Sequence, residues 1–211
     1  PKISRDKSGL VSLSVPDGNV EVYYTLDGTD PTKESIPYSD PFLVVGPTTV
    51  KAIAMRGADG KMTEVATQYF DVSKKEWQVL SAPAKELGDT EKMMDGDPRT
   101  FWAGEKGYTG PQEIVIDLGT PHTLRGFTYW PNQDRWPFGL IANYSFYVGG
   151  DNRSWERVAQ GEFSNIKNNR IEQQVNFEPV VARYIKLEAN QVIGDDPRAS
   201  VAEIGILTQK K

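Results

Sequence analysis

Leu10-Val11-Ser12-Leu13-Ser14-Val15 is followed by Pro16-Asp17-Gly18-Asn19 and then by Val20-Glu21-Val22-Tyr23-Tyr24-Thr25-Leu26. Val11, Leu13 and Val15 fall on one face, with Ser12 and Ser14 on the other, and Val20, Val22, Tyr24 and Leu26 repeat the period of two. Such alternation marks half-buried strands of antiparallel sheets. The Pro-Asp-Gly-Asn run between them has turn chemistry, as do Asp27-Gly28, Gly46-Pro47 and Asp59-Gly60. Val50, Ile53 and their neighbours follow the same period with one irregularity.

Outward from this stretch the chain reads as strand nearly throughout. Regular strand spacing, Gly/Pro-rich turns and the lack of a long helical period predict a small Ig- or fibronectin-like sandwich ending near Val72. Ser73-Lys74-Lys75-Glu76 is a short charged joint ahead of apolar Trp77, Val79 and Leu80. Two domains follow, residues 1–73 and 74–211, each of a size that folds alone. In the second, Glu113–Leu118, then Leu124, Phe127 and Tyr129, then Tyr144–Val148, Ala182–Leu187 and Val201–Leu207 read as strands. Around eight strands with long loops predict a jelly roll, whose loops carry binding residues.

Composition narrows the function classes. A net charge of -5 disfavours nucleic acid and anionic membranes as partners. No apolar run is long enough to insert in a membrane. With no cysteine there are no disulfides, thiolate nucleophiles or zinc–thiolate sites. The single histidine, His122, sits in Thr120-Pro121-His122-Thr123, which reads as a surface turn between strands. The chain opens at Pro1 without Met and so reads as a fragment of a longer protein, whose export signal would lie upstream.

Three stretches carry chemistry. In Tyr23–Thr32, Asp27 and Asp30 are placed to cap turn N–H groups, with Gly28 at the bend. In Lys92-Met93-Met94-Asp95-Gly96-Asp97-Pro98-Arg99-Thr100-Phe101-Trp102, a tight loop offers two carboxylates, a hydroxyl and free carbonyls. Taken alone it reads as a turn, yet hard oxygens clustered this way are what calcium requires. Trp130-Pro131-Asn132-Gln133-Asp134-Arg135-Trp136-Pro137-Phe138-Gly139 offers an aromatic platform in Trp136 and Phe138. Asn132, Gln133, Asp134 and Arg135 supply hydrogen-bonding groups beside it, the combination that recognises a pyranose. Trp77, Trp102 and Trp155 are expected in the core. Glu105, Lys106 and Tyr108 either wall the same site or form a solvated loop.

Residues 8–72, through Tyr23–Thr32, Pro37-Tyr38-Ser39 and Thr49–Ala54, resemble the C-terminal domain of the chitobiase/β-hexosaminidase family, a non-catalytic accessory sandwich of glycoside hydrolases. Residues 76–208 resemble the coagulation factor 5/8 type C (discoidin) family. That likeness rests on Asp95–Trp102, Ile114–Gly119, Tyr144–Val148 with Trp155, Ala182–Leu187 and Val201–Ile204. It implies a galactose-binding-like jelly-roll sandwich and a structural Ca2+ held by the carbonyls of Lys92, Asp97 and Ala202, the carboxylates of Asp95 and Glu203, and Thr100. In sugar-binding relatives an Arg commonly stands where Asn132 stands here, and a His where Ala103 stands. These departures argue against ordinary galactose recognition.

The resemblances together imply a non-catalytic, glycan-binding accessory region of an exported bacterial glycoside hydrolase. The missing catalytic domain would be an exo-glycosidase, such as an α-L-fucosidase-like enzyme. The alternative is a structural brace or protein-interaction module without sugar binding. Hydrolysis by the chain itself would need a carboxylate pair in a catalytic context, and none is recognisable.

Overall fold

The computed structural model describes residues 1–16, 20–56, 60–84, 86–108, 110–194 and 198–209. Asp17, Gly18, Asn19 and Asp59 of the expected turns lie outside them. The chain divides into two compact units, Pro1–Lys75 and Glu76–Lys211. Both are built from antiparallel strands.

The first unit contains β1 (Lys2–Arg5), β2 (Leu10–Ser14), β3 (Val20–Thr25), β4 (Ile36–Pro37), β5 (Phe42–Leu43), β6 (Thr48–Arg56) and β7 (Ala66–Phe70). They form two sheets, β1-β2-β5 and β4-β3-β6-β7. The alternating residues meet between them: Val11, Leu13, Val22, Tyr24, Val50, Ala52 and Ala54 make one buried cluster. Tyr24 stacks on Phe42 with ring centroids 4.2 Å apart. Leu26 departs from the expected face because β3 stops at Thr25, leaving it 40% exposed. In the turn beyond, the Asp27 carboxylate accepts the backbone N–H and hydroxyl of Thr29, and Gly28 takes a positive φ of 81°. Asp30 pairs with Lys51 at 2.7 Å rather than capping the turn. Arg5 ties the end of the unit down by donating to the carbonyls of Asp71 and Val72.

The second unit contains β8 (Gln78–Ser81), a 3-10 turn (Thr90–Met93), β9 (Trp102–Ala103), β10 (Glu113–Trp130), β11 (Leu140–Gly149), β12 (Glu156–Glu162), β13 (Gln173–Ile193), β14 (Ser200–Val201) and β15 (Glu203–Leu207). The stretches 113–118 and 124–129 are not separate strands. They are halves of β10, with a break in register between Asp117 and His122 where Gly119 has φ 82°. His122 therefore lies within a strand, opposite Ala182. The cause is β13, which pairs with both halves of β10 and keeps the chain extended across the Gly-Thr-Pro segment. The last strand, expected unbroken over 201–207, is interrupted at Ala202, whose N–H donates to the carbonyl of Trp130.

β12, β11, β13, β10 and β15 are hydrogen-bonded in that order in one sheet, with β8 also beside β10, and the long β10 and β13 each take part in both layers of it. The first half of β10 pairs with β8 and with Tyr184–Glu188 of β13, which continues onto β11 and so to β12. The second half pairs with the start of β13 and with β15. The core lies between these layers. Phe127 from β10 stacks on Phe146 from β11 with centroids 4.0 Å apart and planes 4° apart. Phe163 stacks against Tyr144 and Tyr129. Gly126 is required where it stands, since a Cβ there would run into the Val175 carbonyl oxygen. Trp77 and Trp102 are buried as expected. Trp155 is only half-buried, with the Lys186 ammonium 5.5 Å from its ring centroid.

Phe127→Ala should cost about 3–5 kcal/mol, because the flat contact with Phe146 leaves a cavity that strands fixed at both ends cannot close; urea unfolding measures it. A second expectation concerns acid. The Arg183 guanidinium, bonded through two nitrogens to Asp117 at 2.8 Å, holds that carboxyl below the usual range. A carboxyl depressed in the folded state contributes stability that is present above its unfolded pKa of about 3.9 and lost as pH falls toward the folded value. Asp117→Asn should flatten the fall of melting temperature below about pH 4.

Candidate functional site

Two loops at one end of the second unit hold the residues singled out in the sequence. The first runs from the 3-10 turn to β9. Gly96, with φ 86°, turns it sharply, and its N–H donates to the Glu203 carboxylate at 2.6 Å. Residues far apart in sequence are thereby joined, Glu203 being 8% exposed at the start of β15. The Thr100 hydroxyl lies 2.7 Å from an Asp95 carboxylate oxygen, 3.1 Å from the Asp97 carbonyl and 3.4 Å from the Lys92 carbonyl. A hydroxyl has one proton and can satisfy only one of these three acceptors. Backbone N–H groups also serve the cluster, Thr100 donating to the Asp97 carbonyl at 3.0 Å and Asp97 to the Asp95 carboxylate at 2.8 Å, so acceptor oxygens gather closely in this loop.

That crowding suits a hard cation, and the all-oxygen set of Lys92, Asp95, Asp97, Thr100 and Glu203 is of the kind calcium takes. The Asp97 carboxylate points elsewhere, to the Arg99 guanidinium at 2.6 and 2.8 Å. Its backbone carbonyl lies 3.1 Å from the Thr100 hydroxyl instead. Ala202 is fully buried beside Glu203. Among the described residues no group of three or more His, Cys, Asp or Glu side chains gathers to hold a metal. Backbone carbonyls would have to supply much of the coordination.

The second loop, residues 131–139, joins β10 to β11. Its side chains divide sharply. Trp136 is 78% exposed, and the Arg135 guanidinium sits 5.5 Å from its ring centroid. Asn132 is turned inward and has no exposure at all. Its side-chain amide oxygen, Oδ1, accepts the Asp134 N–H at 2.8 Å, so it shapes the loop and is not available to a ligand from outside. The Gln133 amide is likewise committed, donating to the carbonyls of Pro131 and Arg170. Asp134 is exposed, its carboxylate accepting the Arg135 backbone N–H. Phe138 is half-buried, edge-on to Phe101 at 5.8 Å, with the Arg198 guanidinium 4.5 Å from its ring. Of the six expected sugar contacts, Asp134, Arg135, Trp136 and Phe138 reach the surface, while Asn132 and Gln133 hold the loop in shape.

Sequence reading did not single out Arg170. It reaches over from the connection between β12 and β13 and donates to the carbonyls of Asn132 and Asp134 at 3.1 and 2.6 Å. With Gln133 donating back to its own carbonyl, the two loops are clamped reciprocally. Arg198 and Phe101 were missed for the same reason, because only folding brings them to Phe138. Phe101 also links the two loops: it follows Thr100 in the oxygen cluster, and both line a cavity of about 870 Å³ that reaches Ala103 and Glu105. Lys106 is exposed, and Tyr108 folds back over Gly110.

Comparison with known proteins agrees with this architecture. The F5/8 type C domain family matches residues 73–204, and the chitobiase/beta-hexosaminidase C-terminal domain matches residues 5–67. The chain belongs to the F5/8 type C family. It is 26% identical over 213 residues to a sialidase of Micromonospora viridifaciens, covering 98% of this chain and 29% of that protein. It is 29% identical over 140 residues to a galactose oxidase of Gibberella zeae, covering 64% of this chain and 20% of that protein. The chain thus spans less than a third of either relative. Among solved structures, CBM32-3 from a family 31 glycoside hydrolase of Clostridium perfringens superposes with a TM-score of 0.57 at 25% identity, covering 64% of this chain and 92% of that one. The family 32 CBM of C. perfringens NanJ, in complex with galactose, gives 0.53 at 26% identity, covering 62% and 93%.

Proposed function

We propose that this chain is a non-catalytic carbohydrate-binding accessory region that holds an attached enzyme near glycan. The observation that carries the reading is Trp136, a large aromatic 78% exposed on a loop whose neighbours are locked by Asn132, Gln133 and Arg170. An exposed indole on a rigid support offers the C–H face of a pyranose a platform with little ordering cost on binding. Asp134, Arg135 and the partly exposed Phe138 border it. The galactose bound by the NanJ module supports the ligand class. A single open site of this kind binds weakly, ~0.1–1 mM, and gains effect through tethering to a catalytic domain. That parent is read as an exported exo-glycosidase, α-L-fucosidase-like by family association, acting outside the cell or in the periplasm.

Calcium belongs to the same proposal. Asp95, Thr100, Glu203 and the carbonyls of Lys92, Asp97 and Ala202 would hold Ca2+, whose charge relieves the crowded acceptors and clips the loop before β9 to β15. Calcium at about a hundred times its dissociation constant should add about 2.7 kcal/mol, raising the melting temperature by several degrees. Chelation should reverse the rise, and Glu203→Gln should abolish the response.

A glycan array probed with the intact chain in calcium tests the main reading. Specific binding that disappears in Trp136→Ala is the expected result. Failure to bind any glycan would turn the assignment toward a structural brace for the parent enzyme.

A further inference from the structure

Charge around the Trp136 platform has a pattern that a neutral sugar does not require. The chain carries a net charge of -5, and five of its cations are paired with carboxylates: Lys51 with Asp30, Lys92 with Asp89, Arg99 with Asp97, Arg183 with Asp117 and Lys186 with Glu113. Arg135 and Arg170, which both belong to or reach the Trp136 loop, are not among these pairs. Among the described residues neither guanidinium pairs with a carboxylate. Arg135 makes only its contact with the Trp136 ring, and at 5.5 Å from the centroid it lies outside flush stacking. Arg170 spends Nη1 on the carbonyls of Asn132 and Asp134, leaving its Nε and Nη2 donors unused. The neighbouring Asp134 carboxylate accepts the Arg135 backbone N–H. A third cation, Arg198, stands over Phe138 at the other side of the loop.

We infer that the site selects an acidic sugar, a pyranose bearing a carboxylate such as a uronic or sialic acid. The pyranose would lie against Trp136 and its carboxylate would meet the guanidiniums of Arg135 and Arg170. The physical reason is that a carboxylate matches the planar fork of a guanidinium and forms charge-assisted hydrogen bonds with it. One guanidinium next to the exposed aromatic and a second bonded to the backbone of the same loop offer charged donors that neutral hydroxyls would leave unused. The inference rests on the reading that this loop binds glycan and names the class of that ligand.

The test compares matched sugars by isothermal titration calorimetry on the intact chain with calcium. The probes are the methyl glycosides of galactose and galacturonic acid, glucose and glucuronic acid, and mannose and mannuronic acid, together with a methyl sialoside. At least one acid should bind about tenfold tighter than its neutral counterpart, or the sialoside about tenfold tighter than methyl galactoside. Which probe wins separates a uronic from a sialic acid ligand. The preference should shrink between about 0.05 and 0.5 M salt. Arg135→Gln, shown by its melting curve to be folded, should bring the acid-to-neutral ratio toward one, whereas Arg135→Lys should retain part of it. Neutral sugars binding as well as acids, with a ratio insensitive to Arg135→Gln, would overturn the inference and leave the glycan-binding reading intact. Absence of binding by every probe and on the glycan array would overturn both.

Discussion

The second unit depends on two strands that each belong to two layers. β10 and β13 run side by side through one six-stranded sheet that folds over on itself, so its two layers cannot slide or separate without breaking pairing along both. The aromatic stack of Phe127 on Phe146, with Phe163 against Tyr144 and Tyr129, fills the space this arrangement encloses. Close packing of flat rings between strands held at both ends makes the scaffold stiff. Long loops can then leave one end of the sandwich without taking the sheets with them.

That stiffness gives the loops their division of labour. In residues 131–139 the polar side chains next to β10 turn inward and satisfy backbone groups, while the following ones turn outward. Tyr129 anchors the base, its buried hydroxyl donating to the Ser200 carbonyl and accepting the Ile141 N–H. Ser200 in turn donates to the carbonyl of Phe138. The platform is thus fastened to β10, β11, β14 and, through Arg170, to the segment before β13. Its neighbour, the oxygen-rich loop, is fastened to β15 by Gly96 and Glu203. Phe101 against Phe138 places the two loops in contact, so order in one bears on order in the other.

Much of this was legible in the residues. Period-two alternation marked the strands of both units, because a strand with one buried face must alternate whatever it packs against. The aspartate-rich loop was visible because oxygen ligands and sharp turns draw on the same small set of residues. The exposed aromatic loop was visible because Trp136 and Phe138 sit among polar residues where no strand pattern claims them. What failed to show was the continuity of β10 through Gly119–His122, since local turn chemistry there is overridden by pairing with β13. The half-exposure of Trp155 was hidden for a similar reason: burial of a large aromatic depends on what lies across the sheet.

By itself the sequence determined the all-β class, the two units, the oxygen-bearing loop and the loop bearing the platform, since each follows from local periodicity or from side-chain chemistry within a dozen residues. Only the tertiary structure decided which polar residues of that loop face outward. Asn132 and Gln133 look as available as Asp134 and Arg135 in a linear reading, yet the first two are consumed by backbone groups of their own loop and of Arg170. Only folding, likewise, brings Arg170, Arg198 and Phe101 to the platform and Glu203 to Gly96. Hydrogen-bond demand from buried backbone is a property of the packed chain, and it selects which side chains remain free to recognise anything else.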